Sequence, residues 1–387
     1  MATWYNSSSV VQYRILILDN ELGMGGAESN LRDFIAHCDR SRLALSVCCL
    51  KQGGHFKAEI EKMGVPFHDR LLRHRFDAAA FRQLASILKS EQIQLIDTFS
   101  HPNTVAFAWW AKRRGLVERV VVSYHAVGSP DGGRLVPHYL RPLLRECDAL
   151  VALSQSHRRY LVEKEGLPDR LMHVIPNGVD TGLFAPPSAA ERASRRAEFG
   201  FSETDVVFAA VGSLKPIKRV DLLLRAISGV MKKDHRVRLL LVGDGPDRAM
   251  LESLAVEMGI ASQVTFAGLR SDAHAVMGAA DALVISSRSE AFPKVVLEAM
   301  ATGLPVIATD VGSVSEMVEN GRSATVVPPG DEAALASAIE AMVEAPQQRQ
   351  VFGARGREIV LQKFTIEKMC AAREQLFDSL LRKTRAA

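Results

Sequence analysis

The sequence predicts an α/β protein of two doubly wound domains facing across a cleft, and three observations carry the prediction. The chain has 387 residues, more than one hydrophobic core usually supports, so two domains of roughly 150–200 residues are expected. Short, continuously apolar runs alternate with amphipathic stretches, the pattern of parallel strands covered by helices on both faces. That rhythm breaks once near the middle of the chain and then starts again.

In the first half, Ile15-Leu16-Ile17-Leu18 reads as a strand, Gly23-Met24-Gly25-Gly26 as the turn after it, and the stretch from Ala27 toward His37 as a helix. Apolar runs at 43–50, 95–96, 119–123 and 149–153 alternate with amphipathic ones at 78–89 and 102–114. Between 176 and 199 come Pro176-Asn177-Gly178, Pro186-Pro187 and a polar, alanine-rich segment, a cluster of breakers that reads as a domain connection. Strand candidates resume at 206–211, 238–242, 264–266, 282–285, 306–308 and 325–327, with helices at 220–231 and 248–258. Residues 365–381 read as a last amphipathic helix. The expected units are an N-terminal domain over 1–178, a C-terminal domain over 179–364, and a terminal helix over 365–387 packing back toward the first domain.

Hydrophobic residues at 47% and charged residues at 24% exclude a disordered or fibrous chain. Basic residues exceed acidic ones by four, and the whole surplus lies in residues 1–180. Arg70, Arg73, Arg75, Arg82, Lys89 and the run Lys112-Arg113-Arg114 sit there. They read as a solvated face, with an anionic membrane surface or an acidic acceptor as the alternative. Cys38, Cys48, Cys49, Cys147 and Cys370 show neither zinc-ligand spacing nor a disulfide framework, which suits a reducing cytoplasm. The start from Met1 to Ser9 lacks a secretory pattern, and the most apolar region, 104–111, is far short of the ~20 residues of a membrane helix. The expectation is a cytoplasmic protein, soluble or peripheral at the inner face of the cell membrane, with no nucleic-acid partner.

The segment with most chemistry runs from Asp281 to Met300. An apolar strand ends near Ser286, a loop carries Glu290, and Pro293 takes the first helical position, where its fixed φ fits and its missing N–H would be unpaired anyway. Gly303 and Pro305 then end the helix. Glu290 thus sits at the carboxyl end of a strand, ahead of free helix N–H groups that suit a phosphate, at the edge where open α/β sheets bind ligands. Glu298 falls near the second turn, within reach of a hydroxyl on the same ligand. Two carboxylates flanking a phosphate pocket point to a nucleotide sugar. Taken alone, the spacing is equally that of a helix cap and a surface residue.

The residues around that pair resemble glycosyltransferase family 4, the retaining "glycosyl transferases group 1" enzymes of the GT-B fold, in which two Rossmann-like domains face each other. The likeness rests on residues 211–218 (VGSLKPIK), 241–246 (LVGDGP), 264–269 (VTFAGL), 289–293 (SEAFP) and 298–307 (EAMATGLPVI), in the family's order and spacing. It covers 170–335, with looser matches at Gly23 to Glu28, at His125 after the strand 120–122, and at 175–180. The resemblance implies a metal-independent hexosyltransferase with no cofactor, using a UDP-sugar or GDP-sugar as co-substrate and a glycan or lipid-linked glycan as acceptor. It places the reaction in polysaccharide or glycoconjugate synthesis.

By the same resemblance, Glu298 binds the donor ribose and Glu290 the donor sugar. The amides after Glu290, at Phe292, Lys294 and Val295 beside Pro293, hold the diphosphate or the sugar. Lys218 neutralises the leaving diphosphate, where breaking the sugar–phosphate bond builds negative charge. Gly25 and Gly26 allow close backbone approach, His125 lies beside the transferred sugar, and Gly268 and Leu269 belong to the donor-binding set. One departure stands out. The family commonly has arginine where this chain has Ser213, which leaves Lys218, with Arg219 or Lys215, to supply positive charge. Acceptor contacts are expected on loops of the first domain such as 129–138.

A dinucleotide-dependent dehydrogenase is disfavoured, because Glu28 stands where a third glycine belongs and no acid occurs at 48–50. A nucleotide-sugar epimerase of similar fold and a catalytically weak, donor-binding accessory subunit are the remaining alternatives, the latter kept open by Ser213. No pair of histidines, cysteines or carboxylates has metal-ligand spacing.

Overall fold

The computed structural model describes residues 12–385 except 24, 75–76, 100 and 129–132. The start from Met1 to Ser9, Met24, Arg75 and the first part of the expected acceptor loop lie outside the described residues.

The first half folds into a seven-stranded sheet: β1 (Tyr13–Asp19), β2 (Leu43–Cys49), β3 (Phe67–His68), β4 (Leu95–Phe99), β5 (Arg119–Ser123), β6 (Ala149–Ala152) and β7 (Met172–Val174). All its pairings are parallel, in the order β3-β2-β1-β4-β5-β6-β7. The second half forms a six-stranded parallel sheet from β8 (Val206–Val211), β9 (Val237–Val242), β10 (Val264–Gly268), β11 (Ala282–Ile285), β12 (Val306–Thr309) and β13 (Ala324–Val327), in the order β10-β9-β8-β11-β12-β13. Chain direction across each sheet reverses once, beside β1 and beside β8. Such switch points open a crevice at the carboxyl ends of the strands.

Successive side chains of a strand leave on opposite faces, and here both faces are buried. Leu16 and Leu18 pack in one core while Ile15 and Ile17 pack in another. Val207 and Ala209 likewise face away from Val206 and Phe208. This two-sided burial is why the strands read as continuous apolar runs. The short edge strands β3 and β7 carry no such run and were not anticipated.

A further correction concerns the middle of the chain. The alanine-rich segment read as connection contains a helix, Ala189–Glu198, opened by a reciprocal cap between Ser188 and Glu191. It has no apolar stripe and is anchored by charge instead: Arg192 and Arg196 reach Asp281 at 2.7 and 2.6 Å beside β11. The terminal helix, Ile366–Arg385, seats Ile366, Met369, Phe377 and Leu381 in the same core as Ile15 of the first sheet and Phe34 of the Gly26–His37 helix. Arg373 from this helix meets Asp97 of β4 at 2.9 Å with both side chains at most 4% exposed. The two chain crossings between the halves run side by side, since Val179 bridges Thr365. Gly178 is required there, because a Cβ would lie 2.7 Å from the Ile366 Cα.

The basic run is partly neutralised at home. Lys112 binds Asp148 at 2.7 Å and Arg113 lies 3.4 Å from Glu146. No helix among the described residues is long and apolar enough to cross a membrane.

Candidate functional site

The loops that leave β8 and β11, on either side of the second sheet's switch point, build one wall of the cleft. After β8, Gly212 to Lys218 turns back over the sheet. Gly243 must be glycine to let it pass, since its φ is +131° and a Cβ would lie 2.0 Å from the Gly212 carbonyl. After β11, Ser286 Oγ donates to the Lys218 carbonyl at 2.9 Å and the Arg288 amide to the Ile217 carbonyl at 2.8 Å. The two loops are thereby stitched into one rigid unit.

Glu290 is fixed from three sides. Its Oε1 accepts from Lys218 Nζ at 2.6 Å and from Ser287 Oγ at 2.7 Å. Ser313 Oγ donates to the Ala291 carbonyl at 2.5 Å. Beneath the loop, Gly312 has φ +58°, and a Cβ there would sit 1.9 Å from the Glu290 carbonyl. The helix that follows is Lys294–Ala301, with Pro293 as its N-cap at φ −68° and ψ 100°. Pro293 is therefore not the first helical residue, as its fixed φ had suggested: its extended ψ makes it the entry to the helix. The amides of Lys294 and Val295 open the helix, where no intrahelical acceptor is available to them.

Lys294 also uses its side chain, which the sequence does not reveal. Its ammonium, 5% exposed, crosses to the first half and contacts Asp33 on the Gly26–His37 helix. Ser29 Oγ lies 3.2 Å from it and Glu298 Oε1 3.7 Å. Burial pushes the Glu298 carboxyl above its ordinary range, with Lys294 opposing and Asp33 adding to the rise. A buried lysine held between carboxylates of both halves fixes Glu298 and brings the halves together at the same point.

The facing wall comes from the first half. His125 follows β5 and stacks on Phe99, with ring centroids 4.7 Å apart. Among the described residues, neither of its buried ring nitrogens has a hydrogen-bond partner, nor does Asn177 Oδ1. Buried polar atoms are nearly always paired, so this wall suits a hydroxyl-rich ligand. Burial, with Arg373 and His157 near, holds His125 well below its ordinary range and hence neutral. His157 supports the backbone beside it: Nδ1 accepts from the Leu153 amide, so Nε2 carries the proton and donates to the Ala126 carbonyl at 3.0 Å.

Burial brings His157 down to about 4 from 6.5, which has a consequence for acid stability. Above pH ~6.5 the folded and unfolded chains both hold it neutral; between ~6.5 and 4 the unfolded chain takes up the proton first and folding loses free energy. This group is expected to cost about 3 kcal/mol by pH 4. The urea midpoint should fall across that window, and His157→Gln should flatten the fall; an unaltered slope would place the acid sensitivity elsewhere.

The cleft between these walls has a volume of about 400 Å³. Gly25, Gly26 and His125 line it from the first half, and Ser213, Lys218, Glu290, Phe292, Pro293, Lys294, Val295 and Glu298 from the second. A Cβ at Gly26 would meet nothing within 4 Å, so the glycine is not demanded by protein packing. Gly268 and Leu269 are not in the wall: Gly268 closes the edge strand β10, and Leu269 is 59% exposed. Their neighbour Arg270 lines the cleft in their place, paired with Asp272 and Glu198 at 2.8 Å each. Neither helper expected for Lys218 faces the cleft. Arg219 is held by Asp221 at 3.0 Å, and Lys215 is absent from the lining. Ser29, Asp33, Asn177, Arg270 and Ser287 escaped the sequence reading; only Asn177, beside a glycine at the domain connection, carried any local signal.

Comparison with known proteins bears on what this cleft is. The family described as Glycosyl transferases group 1 matches residues 191–359, and Glycosyltransferase Family 4 matches 24–183. The D-inositol 3-phosphate glycosyltransferase of Nocardia farcinica is 34% identical over 213 residues, 52% of this chain and 46% of that protein. The chain thus spans about half the length of that relative. The GDP-mannose-dependent alpha-(1-6)-phosphatidylinositol monomannoside mannosyltransferase of Mycolicibacterium smegmatis is 31% identical over 261 residues, 64% of this chain and 67% of that protein. Among solved structures, HepE of Anabaena in complex with UDP superposes with a TM-score of 0.80 at 24% identity, over 95% of this chain and 100% of that one.

Proposed function

The chain belongs to glycosyltransferase family 4 and has the GT-B fold, and on that premise we propose that it moves a sugar, with retention of configuration, from a nucleotide-diphosphate sugar to a glycan or lipid-linked glycan. The observation that carries the reading is the Glu290 carboxylate, clamped by Lys218 and Ser287 across from the unpartnered ring of His125. In this reading residues 1–178 hold the acceptor, 179–364 the donor, and 365–387 return to the first domain.

The diphosphate rests on the opening amides of the Lys294–Ala301 helix and on Lys218, where the helix dipole and an ammonium favour negative charge. These supply the positive charge without a metal ion. As the anomeric carbon–oxygen bond breaks, its electron pair stays on the phosphate oxygen, where Lys218 stabilises it. The acceptor oxygen bonds to the anomeric carbon from the same face, and its proton passes to the departing phosphate. Glu290 and neutral His125 orient the sugar hydroxyls, and Glu298 accepts from the ribose. The Anabaena neighbour solved with UDP and the GDP-mannose-dependent relative support a UDP or GDP donor. The latter's phosphatidylinositol monomannoside acceptor supports a lipid-linked acceptor.

Incubation with UDP-sugars and GDP-sugars tests this reading: nucleotide release should depend on an acceptor. Epimerised sugar formed without acceptor would overturn it in favour of an epimerase, and donor binding without turnover would mark an accessory subunit. Glu298→Ala should weaken donor binding about ten- to a hundredfold, the worth of one or two hydrogen bonds to a charged group. Lys294 keeps Asp33 as its counter-ion in that variant, so folding should survive. An unchanged dissociation constant would remove Glu298 from the ribose.

A further inference from the structure

A second cavity, of about 590 Å³, opens between the 128–165 region of the first half and the loop from Arg288 to Ala291 in the second. It meets the cleft at Glu290 and Ala291, which line both. Whatever occupies it therefore lies next to the carboxylate proposed to orient the transferred sugar.

The frame of this cavity is built rather than incidental. Tyr160 Oη accepts from the Gly128 amide at 2.8 Å and donates to Glu165 at 2.7 Å. Glu165, 1% exposed, also accepts from the amides of Leu135 at 2.8 Å and Val136 at 3.2 Å. One tyrosine and one buried carboxylate thus hold Gly128 on one side of the cavity and Leu135 and Val136 on the other. Gly128 is required for this closure, since a Cβ would lie 2.5 Å from the Tyr160 hydroxyl and 2.3 Å from the Gly133 carbonyl.

Among the described residues that line the cavity, the charges left over are positive. Glu165 is consumed by its three donors, and Glu290 by Lys218 and Ser287. His157, in the same wall, is neutral above about pH 4. Arg134 and Lys164 line the cavity, both exposed, and among the described residues neither has a carboxylate within ion-pair distance. An arginine fork and a lysine point charge together suit a phosphate monoester better than a neutral hydroxyl.

We propose that this cavity is the acceptor site and that the acceptor is anionic: a polyhydroxylated molecule whose phosphate sits on Arg134 and Lys164 while a hydroxyl reaches past Glu290. The inference rests on the transferase reading and names the substrate class for it. The phosphate belongs either to a free phosphorylated sugar or polyol or to a lipid headgroup; both present the same group to the two cations.

Calorimetric titration of the protein saturated with UDP separates the two readings, because UDP fills the phosphate-binding part of the cleft. Glycerol 3-phosphate should still bind, glycerol should not, and the Arg134→Ala/Lys164→Ala double variant should lose at least tenfold in affinity with its UDP dissociation constant unchanged. Lys164→Arg should bind like the parent. Equal binding by parent and double variant, or glycerol 3-phosphate binding that UDP abolishes, would overturn the proposal. Failure of UDP itself to bind would instead remove the donor reading on which it rests. Vesicles of phosphatidylcholine with phosphatidylglycerol, against phosphatidylcholine alone, supply the second arm. Binding confined to the anionic vesicles assigns the phosphate to a lipid, whereas binding of the soluble probe alone assigns it to a free acceptor.

Discussion

Lys218→Ala should slow turnover of the nucleotide sugar by two to three orders of magnitude while changing donor affinity much less. The expectation follows from where negative charge appears. In the proposed mechanism the ground-state diphosphate is already charged and is shared between the helix amides and Lys218; during bond cleavage further charge builds on the oxygen that leaves. Removing a positioned donor from such a site typically costs a factor of 10²–10³ in rate. Lys218 is hard to replace here, because Ser213 brings no charge, Arg219 is held by Asp221, and Arg270 is shared between Asp272 and Glu198. Glu290 keeps its bond from Ser287 in the variant, so the loop should stay in place. Single-turnover rates alongside donor dissociation constants separate the two effects. An unaffected rate would mean that the leaving phosphate is stabilised by another group.

The second large effect is on stability. Arg373→Ala should destabilise the fold by about 3–5 kcal/mol, the range seen when one partner of a buried ion pair is removed. Arg373 and Asp97 are 4% and 2% exposed, and the guanidinium also lies 5.2 Å from the centre of the Phe34 ring. Without it, Asp97 keeps only the 2.9 Å bond from Ser123 Oγ, and a buried carboxylate is left without a counter-charge. The double variant Asp97→Asn/Arg373→Met should recover much of the loss, since no charge is then stranded. Urea unfolding of the single and double variants measures both terms. A single-variant loss under 1 kcal/mol would show that water reaches the pair.

These two sites differ in how far the sequence reveals them. The cleft wall around Glu290 and Glu298 was legible because a strand, a loop and a helix follow one another directly there, and local spacing sets their geometry. Its charge network was not. Lys218 and Glu290 are 72 residues apart, Lys294 and Asp33 261, and Arg373 and Asp97 276. No periodicity links positions so distant. Gly268 and Leu269 entered the expected site through family likeness alone, and neither lines the cleft, whereas Arg270, the next residue, does.

The amino-acid sequence by itself determined the two parallel sheets, because strands buried on both faces must be continuously apolar, and it determined the strand–loop–helix that presents Glu290, because proline and glycine punctuate it. The tertiary structure alone decided which charges meet. It paired Lys218 with Glu290, drew Lys294 across to Asp33, seated the last helix on the first domain, and left Arg134 and Lys164 facing a cavity without a counter-charge among the described residues. The physical reason is that burial and hydrogen-bonding patterns are written in neighbouring residues, whereas an ion pair or a cavity depends on where two separately folded surfaces come to rest.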